Sequence, residues 1–137
     1  MFLFKVDGCT NYTVLNETDR AQGSTSSPHS RSDNNLVTGW YRFQGAAGDR
    51  MPDKCVLLWS CGTRHPGWLN GTHPTVAEGV VKRKVCFTQR NFCCNWSHNI
   101  TVKNCSRYYV YRLMNTSQIS ARRHLRYCGN ADDGKLH

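Results

Sequence analysis

Eight cysteines in a chain of 137 residues are the feature that most limits how this sequence can fold. They are even in number and spread along the chain, a pattern typical of disulfide cross-links in small secreted domains. The hydrophobic fraction is 39% and the mean hydropathy is −0.60, so the apolar core is expected to be small. Four disulfides at about 2–4 kcal/mol each would compensate for such a core. We therefore predict one disulfide-bonded domain, folded in an oxidising compartment.

The sequence shows no membrane-spanning or export segment of the usual length. Its apolar runs, such as residues 56–59 (VLLW), are far shorter than the roughly 20 residues that a membrane helix needs. The apolar start stops at Lys5, whereas a signal peptide has about 7–15 apolar residues. We therefore expect no membrane insertion by this segment. The cysteine content without an export signal predicts a fragment of a longer extracellular protein.

The N-glycosylation pattern Asn-x-Ser/Thr independently indicates a secreted chain. It occurs seven times among eleven asparagines, where chance would give about two matches. Asn70 is the first choice because Asn70-Gly71 is typical of an exposed turn. Asn104 is left out because Cys105, inside its motif, can be bridged before the glycan is transferred. The predicted acceptors are Asn70, Asn11, Asn16, Asn95, Asn99 and Asn115, of which Asn95 and Asn99 are close enough to compete.

Short runs rich in aromatic and β-branched residues predict β-strands. These runs are residues 40–43, 55–59, 79–86, 99–103 and 107–113, bounded by Gly, Pro or Asn. No stretch keeps a 3.6-residue apolar period over three turns. The predicted fold class is mainly β: a small disulfide-rich domain with short antiparallel strands, long irregular loops and at most one or two short helices.

One segment differs in composition from the rest of the chain. Residues 17–35 contain Ala21 as their single apolar residue and are rich in Ser, Asp, Asn and Arg, which predicts a solvated loop. The expected organisation is an N-terminal lead-in at 1–8, which marks the start of the fragment, an eight-cysteine domain at 9–128, and a C-terminal tail or linker at 129–137.

Cysteine and histidine together could also indicate a metal site. Cys61 with His65, and the adjacent Cys93 and Cys94, are of the types that bind zinc. Structural zinc sites, however, combine two closely spaced ligand pairs, and here the cysteines outside the vicinal pair stand alone. We predict no metal and no cofactor.

Six histidines leave a small secreted basic hydrolase of the ribonuclease type as an alternative function. Such an enzyme needs two imidazoles and a lysine that converge on a phosphate. The ribonuclease signature is absent, since Asn115-Thr116 is followed by Ser117 instead of Phe. We predict no enzymatic activity and no catalytic residue. Solvated or turn-stabilising roles are expected for His29, His65, His73, His98, His124 and His137, with turns starting at 65 and 73.

The net charge of +9 leaves binding to polyanionic glycans as a second alternative. Residues 82–84 (KRK) and 122–126 (RRHLR) are the candidate clusters, although in a strand 82 and 84 share one face and 83 takes the other. The simpler interpretation is a charged outer face. Nucleic acid is not expected as a partner, because the cysteines and acceptor motifs place the chain outside the cell. In the aromatic run 108–111 (YYVY), alternation predicts that at least one face belongs to the core.

Ordered motifs along nearly the whole chain resemble a known extracellular domain. They are residues 39–43 (GWYRF), 48–51 (GDRM), 68–74 (WLNGTHP), 78–81 (EGVV), 84–86 (KVC), 93–96 (CCNW), 102–105 (VKNC), 108–111 (YYVY) and 124–128 (HLRYC), with Cys55 and Cys61. In this order, over about 9–128, they resemble the eight-cysteine domain shared by uromodulin, the pancreatic zymogen-granule membrane glycoprotein and the liver-specific zona-pellucida-type protein.

The resemblance implies a set of disulfides and a location. The implied pairs are Cys9 with Cys105, Cys55 with Cys93, Cys61 with Cys128, and Cys86 with Cys94. Uromodulin has a further bridge, but the matching stretches 34–36 and 120–123 hold no cysteine. The resemblance also implies a cysteine-rich domain without catalysis, secreted or on the extracellular face of the plasma membrane as part of a larger protein.

The resemblance further implies roles in cell adhesion and host defence, through N-glycans that are presented to lectin-like adhesins. The uromodulin acceptor falls on Arg112, with Asn115 three residues later, whereas Asn70 matches a glycosylated family position. We predict a non-catalytic extracellular glycoprotein module for binding or scaffolding. Its expected partners are glycan-binding proteins or other extracellular modules.

Overall fold

A computed structural model describes residues 7–25 and 30–132, which form one seven-stranded sheet. The strands are β1 (Thr13–Leu15), β2 (Gly39–Phe43), β3 (His65–Asn70), β4 (Val80–Gln89), β5 (Phe92–Asn104), β6 (Tyr109–Leu113) and β7 (Leu125–Tyr127). Within these ranges, helix is limited to 3₁₀ turns at Thr18–Arg20, Gly45–Ala47, Val76–Glu78 and Thr116–Gln118. None of these turns could cross a membrane. The prediction of a mainly β fold is confirmed.

The order of strands across the sheet is β1-β2-β6-β5-β4-β3-β7. The five central strands are antiparallel, whereas β1 is parallel to β2 and β7 is parallel to β3. The central hairpin is longer than predicted, with ten residues in β4 and thirteen in β5. Its two-residue turn contains Asn91 at φ 66°, a conformation that asparagine tolerates in tight hairpins.

Four of the five predicted strand runs lie in strands, but residues 55–59 do not. They form an irregular turn in which Trp59 has φ 67° and its backbone N–H donates to the Arg64 carbonyl. Leu57 and Trp59 are 77% and 50% exposed and, with Phe92, line an open groove of about 490 Å³. The prediction failed because the composition of this run favours a strand, whereas these residues turn back on themselves instead of pairing with another strand.

Alternation along the strands places the main core on one face of the sheet. Tyr111 of β6 is fully buried, its hydroxyl accepts a hydrogen bond from the Met51 backbone N–H at 2.9 Å, and its ring meets Phe43 edge-on. The prediction that the aromatic run of β6 contributes a core face is confirmed. The core also contains Leu15, Tyr41, Leu69, Val85, Phe87, Ile100, Val102, Leu113, Leu125 and Tyr127.

The predicted solvated loop at 17–35 is wrong in part, because described residues of this segment pack against β7. Arg20 and Asp33 are only 3% and 4% exposed and form an ion pair at 2.8 Å. Arg20 also donates to the Tyr127 carbonyl at 2.9 Å, and the Tyr127 N–H donates to the Asp33 carboxylate at 2.8 Å. Composition alone could not show this, since each polar group is buried only because its partner is buried with it.

The predicted tail also begins too early. The backbone N–H of Gly129 donates to the Arg20 carbonyl, and Asn130 donates to the Arg50 carbonyl. A Cβ atom at position 129 would collide with the Ala47 carbonyl, so the chain passes too close here for a side chain. The ordered fold therefore continues past the predicted boundary at 128. The predictions for residues 1–6, 26–29 and 133–137 lie outside the described residues.

Candidate functional site

Four disulfides hold the sheet and its loops together. They join Cys9 to Cys105, Cys55 to Cys93, Cys61 to Cys128 and Cys86 to Cys94, the same four pairs that the resemblance implies. Two of them involve the adjacent residues Cys93 and Cys94 in β5. The start of this strand is therefore fixed both to the loop between β2 and β3, through Cys55, and to β4, through Cys86. All the cysteines of the alternative zinc sites are thereby engaged in disulfides.

The acceptor motifs differ in how accessible their asparagines are. Asn104 is half-buried, its Nδ2 donates to the Pro74 carbonyl at 3.0 Å, and Cys105 inside its motif is bridged to Cys9. Of the six predicted acceptors, Asn115 is half-buried and the other five, Asn11, Asn16, Asn70, Asn95 and Asn99, are exposed.

Three exposed acceptors lie on the central strands. Asn70 is the last residue of β3, and Gly71 follows at φ 154°, so the chain turns away directly after the acceptor. Asn95 and Asn99 are both exposed on β5, and Asn99 lies in the regularly paired part of the strand, opposite Lys84. The sheet thus fixes the directions in which attached glycans would leave its surface.

The basic side chains of residues 82–84 point in two different directions. Lys82 and Lys84 are exposed on the outer face, whereas Arg83 bends aside and donates from Nε to the Thr72 carbonyl at 2.8 Å. Pairing across the sheet adds an exposed cation from another strand: Lys82 is opposite Thr101, which is opposite Arg112 of β6. No local pattern could have indicated Arg112, because it is distant in the chain.

The second basic cluster is smaller than predicted. Arg122, Arg123 and His124 are exposed, but Arg126 is 4% exposed and forms an ion pair with Asp19 at 3.0 Å. Its role is therefore to hold the 17–35 segment against β7.

The histidine predictions are wrong at three positions. His65 begins β3 instead of a turn, is fully buried, and contacts the Thr88 carbonyl through Nδ1 at 3.0 Å. His73 and His98 are half-buried, and their Nε2 atoms lie 2.7 Å and 3.0 Å from the hydroxyls of Tyr111 and Tyr127. A sequence pattern cannot reveal tyrosine partners that lie 38 and 29 residues away. His124 is exposed, and the predictions for positions 29 and 137 lie outside the described residues.

Most of the chain is similar in sequence to known proteins. Residues 41–129 match the family model described as the uromodulin-like domain. The chain belongs to this family. The chain is 44% identical over 126 residues to the dog pancreatic secretory granule membrane major glycoprotein GP2, an alignment that covers 91% of this chain and 24% of that protein. It is 42% identical over 108 residues to mouse uromodulin, covering 78% of this chain and 16% of that protein.

Human GP2 is similar at 40% identity over 123 residues, covering 89% of this chain and 22% of that protein. The chain thus spans about a quarter or less of the length of these relatives. GP2 and uromodulin are secreted or membrane-associated extracellular glycoproteins. The predicted resemblance and the predicted extracellular location are confirmed.

Hydrogen bonding defines the protonation states of two histidines in the uromodulin-like domain. Because the Tyr111 hydroxyl accepts the Met51 N–H, its own hydrogen is free to donate to Nε2 of His73. The Tyr127 hydroxyl donates to the Met114 carbonyl at 2.8 Å, so Nε2–H of His98 donates to it. Burial lowers the pKa of both imidazoles to about 4. Both rings are therefore neutral at physiological pH and bonded to core tyrosines.

We expect the free energy of unfolding of the uromodulin-like domain to fall between pH 7 and pH 5. The pKa of His73 and His98 is about 4 in the fold and about 6.5 in an unfolded chain. The unfolded state therefore binds more protons in this window, and acidification favours it. Allowing for solvent screening of half-buried rings, the loss is about 1 kcal/mol per histidine at pH 5.

Denaturant unfolding at pH 7 and pH 5 measures this loss. His98→Gln should reduce the difference between the two pH values, and the exposed His124→Gln is the matched control that should leave it unchanged. Equal stability of the original chain at both pH values would contradict the assigned protonation states.

Proposed function

We propose that the uromodulin-like domain is a non-catalytic extracellular module that holds N-glycans in fixed positions for lectin-like adhesins and other glycan-binding proteins. The observation that carries the proposal is the location of exposed acceptors on a cross-linked sheet. Asn70 ends β3, and Asn95 and Asn99 are exposed on β5. Both strands pair with β4, the strand that Cys86 and Cys94 tie to β5.

A cross-linked platform favours recognition for two physical reasons. Binding a mobile loop costs ordering entropy, and a sheet whose loops are already fixed avoids much of that cost. Several acceptors on one small domain also allow a partner with more than one sugar site to engage them together, which raises the overall affinity without new protein contacts. The attached glycan, and not an enclosed pocket, is then the recognised element.

The site geometry does not favour the alternative hydrolase of the ribonuclease type. Such chemistry needs imidazoles that exchange protons near neutral pH. Here His73 and His98 are held neutral by burial, and each is bonded to a different core tyrosine. A turnover screen on RNA with His73→Ala and His124→Ala, each checked for folding by thermal denaturation, tests this. Activity that is present in the original chain and lost in a folded variant would support the enzyme instead.

We expect removal of N-glycans to abolish capture by a mannose-binding fimbrial adhesin. The glycosylated domain is immobilised and adhesin binding is measured before and after complete enzymatic deglycosylation. Asn70→Gln should lower capture in proportion to the share of mannose-rich glycan that peptide mapping finds at this site. Asn35→Gln is the matched control, since Asn35 is exposed but lies outside any acceptor motif. Unchanged capture after complete deglycosylation would overturn the proposal.

A further inference from the structure

A small groove on the outer face of the sheet brings together cations from different strands. It has a volume of about 170 Å³ and is lined by Lys82 of β4, Asn99 and Thr101 of β5, and Arg112 of β6, among others. Lys82 and Arg112 are both opposite Thr101, so their Cα atoms are about 10 Å apart with one hydroxyl between them. Lys84, opposite Asn99, extends the positive charge along β4.

The positive charge of this groove is not neutralised by the described part of the chain. Among the described residues, the cations that form ion pairs are Arg20, Arg31, Arg50, Arg83, Lys103 and Arg126. Lys82, Lys84 and Arg112 take part in none of these pairs, and all three are exposed. The groove is therefore open to an external anion.

The arrangement suits sulfate groups on an anionic glycan. A guanidinium can bind two oxygens of one sulfate, an ammonium adds a strong point charge, and a hydroxyl between them can donate a further hydrogen bond. The surface is an open sheet face, so a long sugar chain can lie across it. Lys84, two residues from Lys82 along the strand and about 7 Å away, can meet the next anionic group.

The same groove contains an N-glycan acceptor. Asn99 is part of its lining, and Thr101 is the hydroxyl residue of the Asn99-Ile100-Thr101 motif. A glycan on Asn99 would leave the sheet next to Lys84 and occupy the space above the groove. We propose that this groove binds sulfated glycans, and that an N-glycan on Asn99 blocks it. Glycosylation at this one site would then decide whether the groove is covered by a sugar or free to bind one.

The test uses heparin as the probe and variants of the complete chain secreted by mammalian cells. Asn99→Gln is expected to bind heparin on the order of tenfold more tightly than the chain glycosylated at 99. Asn95→Gln, on the same strand outside the groove, should leave the affinity unchanged. Substitution is preferred to enzymatic deglycosylation, because the enzyme converts the acceptor asparagine to aspartate and would place a negative charge in the groove.

A second comparison tests whether the groove itself is the binding site. In the Asn99→Gln background, replacing Lys82, Lys84 and Arg112 by serine should weaken binding on the order of tenfold. The charge-matched control replaces three other exposed cations, Lys54, Arg64 and Arg107. Circular dichroism and peptide mapping establish folding and occupancy in every variant.

The outcomes separate the two parts of the inference. Equal losses of heparin affinity from the two triple substitutions would contradict binding in the groove, since binding would then follow net charge alone. Equal affinity of the Asn99→Gln variant and the chain glycosylated at 99 would overturn the blocking role, as would peptide mapping that finds Asn99 unoccupied. Adhesin capture is measured separately from heparin binding. A negative heparin result therefore does not contradict the proposed glycan presentation, and a negative capture result does not contradict the groove.

Discussion

Replacement of Asp33 by alanine is expected to lower the free energy of unfolding by about 3–5 kcal/mol. The Asp33 carboxylate accepts hydrogen bonds from both Nη atoms of Arg20 and from the Tyr127 backbone N–H. Removing it leaves a guanidinium that is 3% exposed with only part of its pairing, and a buried N–H without an acceptor. Denaturant unfolding at neutral pH under non-reducing conditions measures the loss.

Two controls isolate the buried charge. Asp49→Ala removes an exposed pair with Arg50 and should cost less than about 1 kcal/mol. The double variant Arg20→Met with Asp33→Leu removes both buried charges and should be more stable than Asp33→Ala alone, because no unpaired charge remains in the interior. If Asp33→Ala cost no more than Asp49→Ala, the buried network would not contribute as described.

Removal of the disulfide between Cys61 and Cys128 by paired alanine substitutions is expected to cost about 4 kcal/mol. This bond joins residues 67 apart, and a cross-link that closes a longer loop restricts the unfolded chain more strongly. Both cysteines are also fully buried, in a cluster with Val56, Trp68 and Cys86, so their loss leaves poorly filled space.

The matched control is paired alanine substitution of Cys86 and Cys94, which are eight residues apart. The same chain-entropy relation gives about 2.5 kcal/mol for this shorter loop. Denaturant unfolding is compared after mass spectrometry shows that the other three bridges remain intact. A larger loss from the shorter loop would contradict the entropic explanation and indicate that local packing around each bridge decides its contribution.

The strands were predictable wherever the local residue pattern determines the structure. Alternation in residues 107–113 correctly indicated a core-facing aromatic strand, because Tyr111 and Val110 point to opposite sides regardless of which strands lie beside them. The three-residue strands β1 and β7 left no pattern long enough to detect. Their parallel pairing also depends on contacts between distant parts of the chain.

The disulfide pairs illustrate a different limit. Eight cysteines allow 105 connectivities, and neither spacing nor composition selects among them. The four implied pairs came from the resemblance alone. The buried Arg20 and Asp33 show the same limit for charges: both belong to a strongly polar segment, and only the fold brings them to the Tyr127 backbone.

For the candidate site, the exposure of Asn70 could be predicted from the turn-forming pair Asn70-Gly71. The groove between Lys82 and Arg112 could not be predicted from the sequence, because it depends on the register of strand pairing. Thr101 is opposite both residues, although they are 19 and 11 residues away from it in the chain. A pattern within one strand shows which side chains share a face, but not which neighbours complete a surface.

The edge strands of the sheet determine whether neighbouring molecules can pair with it at high concentration. At one edge of the sheet, β1 is only three residues long. At the other edge, the backbone of β7 and of Gly129 forms hydrogen bonds with Arg20, Gln22 and Asp33. Short or covered margins give a foreign strand little backbone to pair with. Such a domain can therefore be concentrated without its sheet edges pairing into a larger sheet.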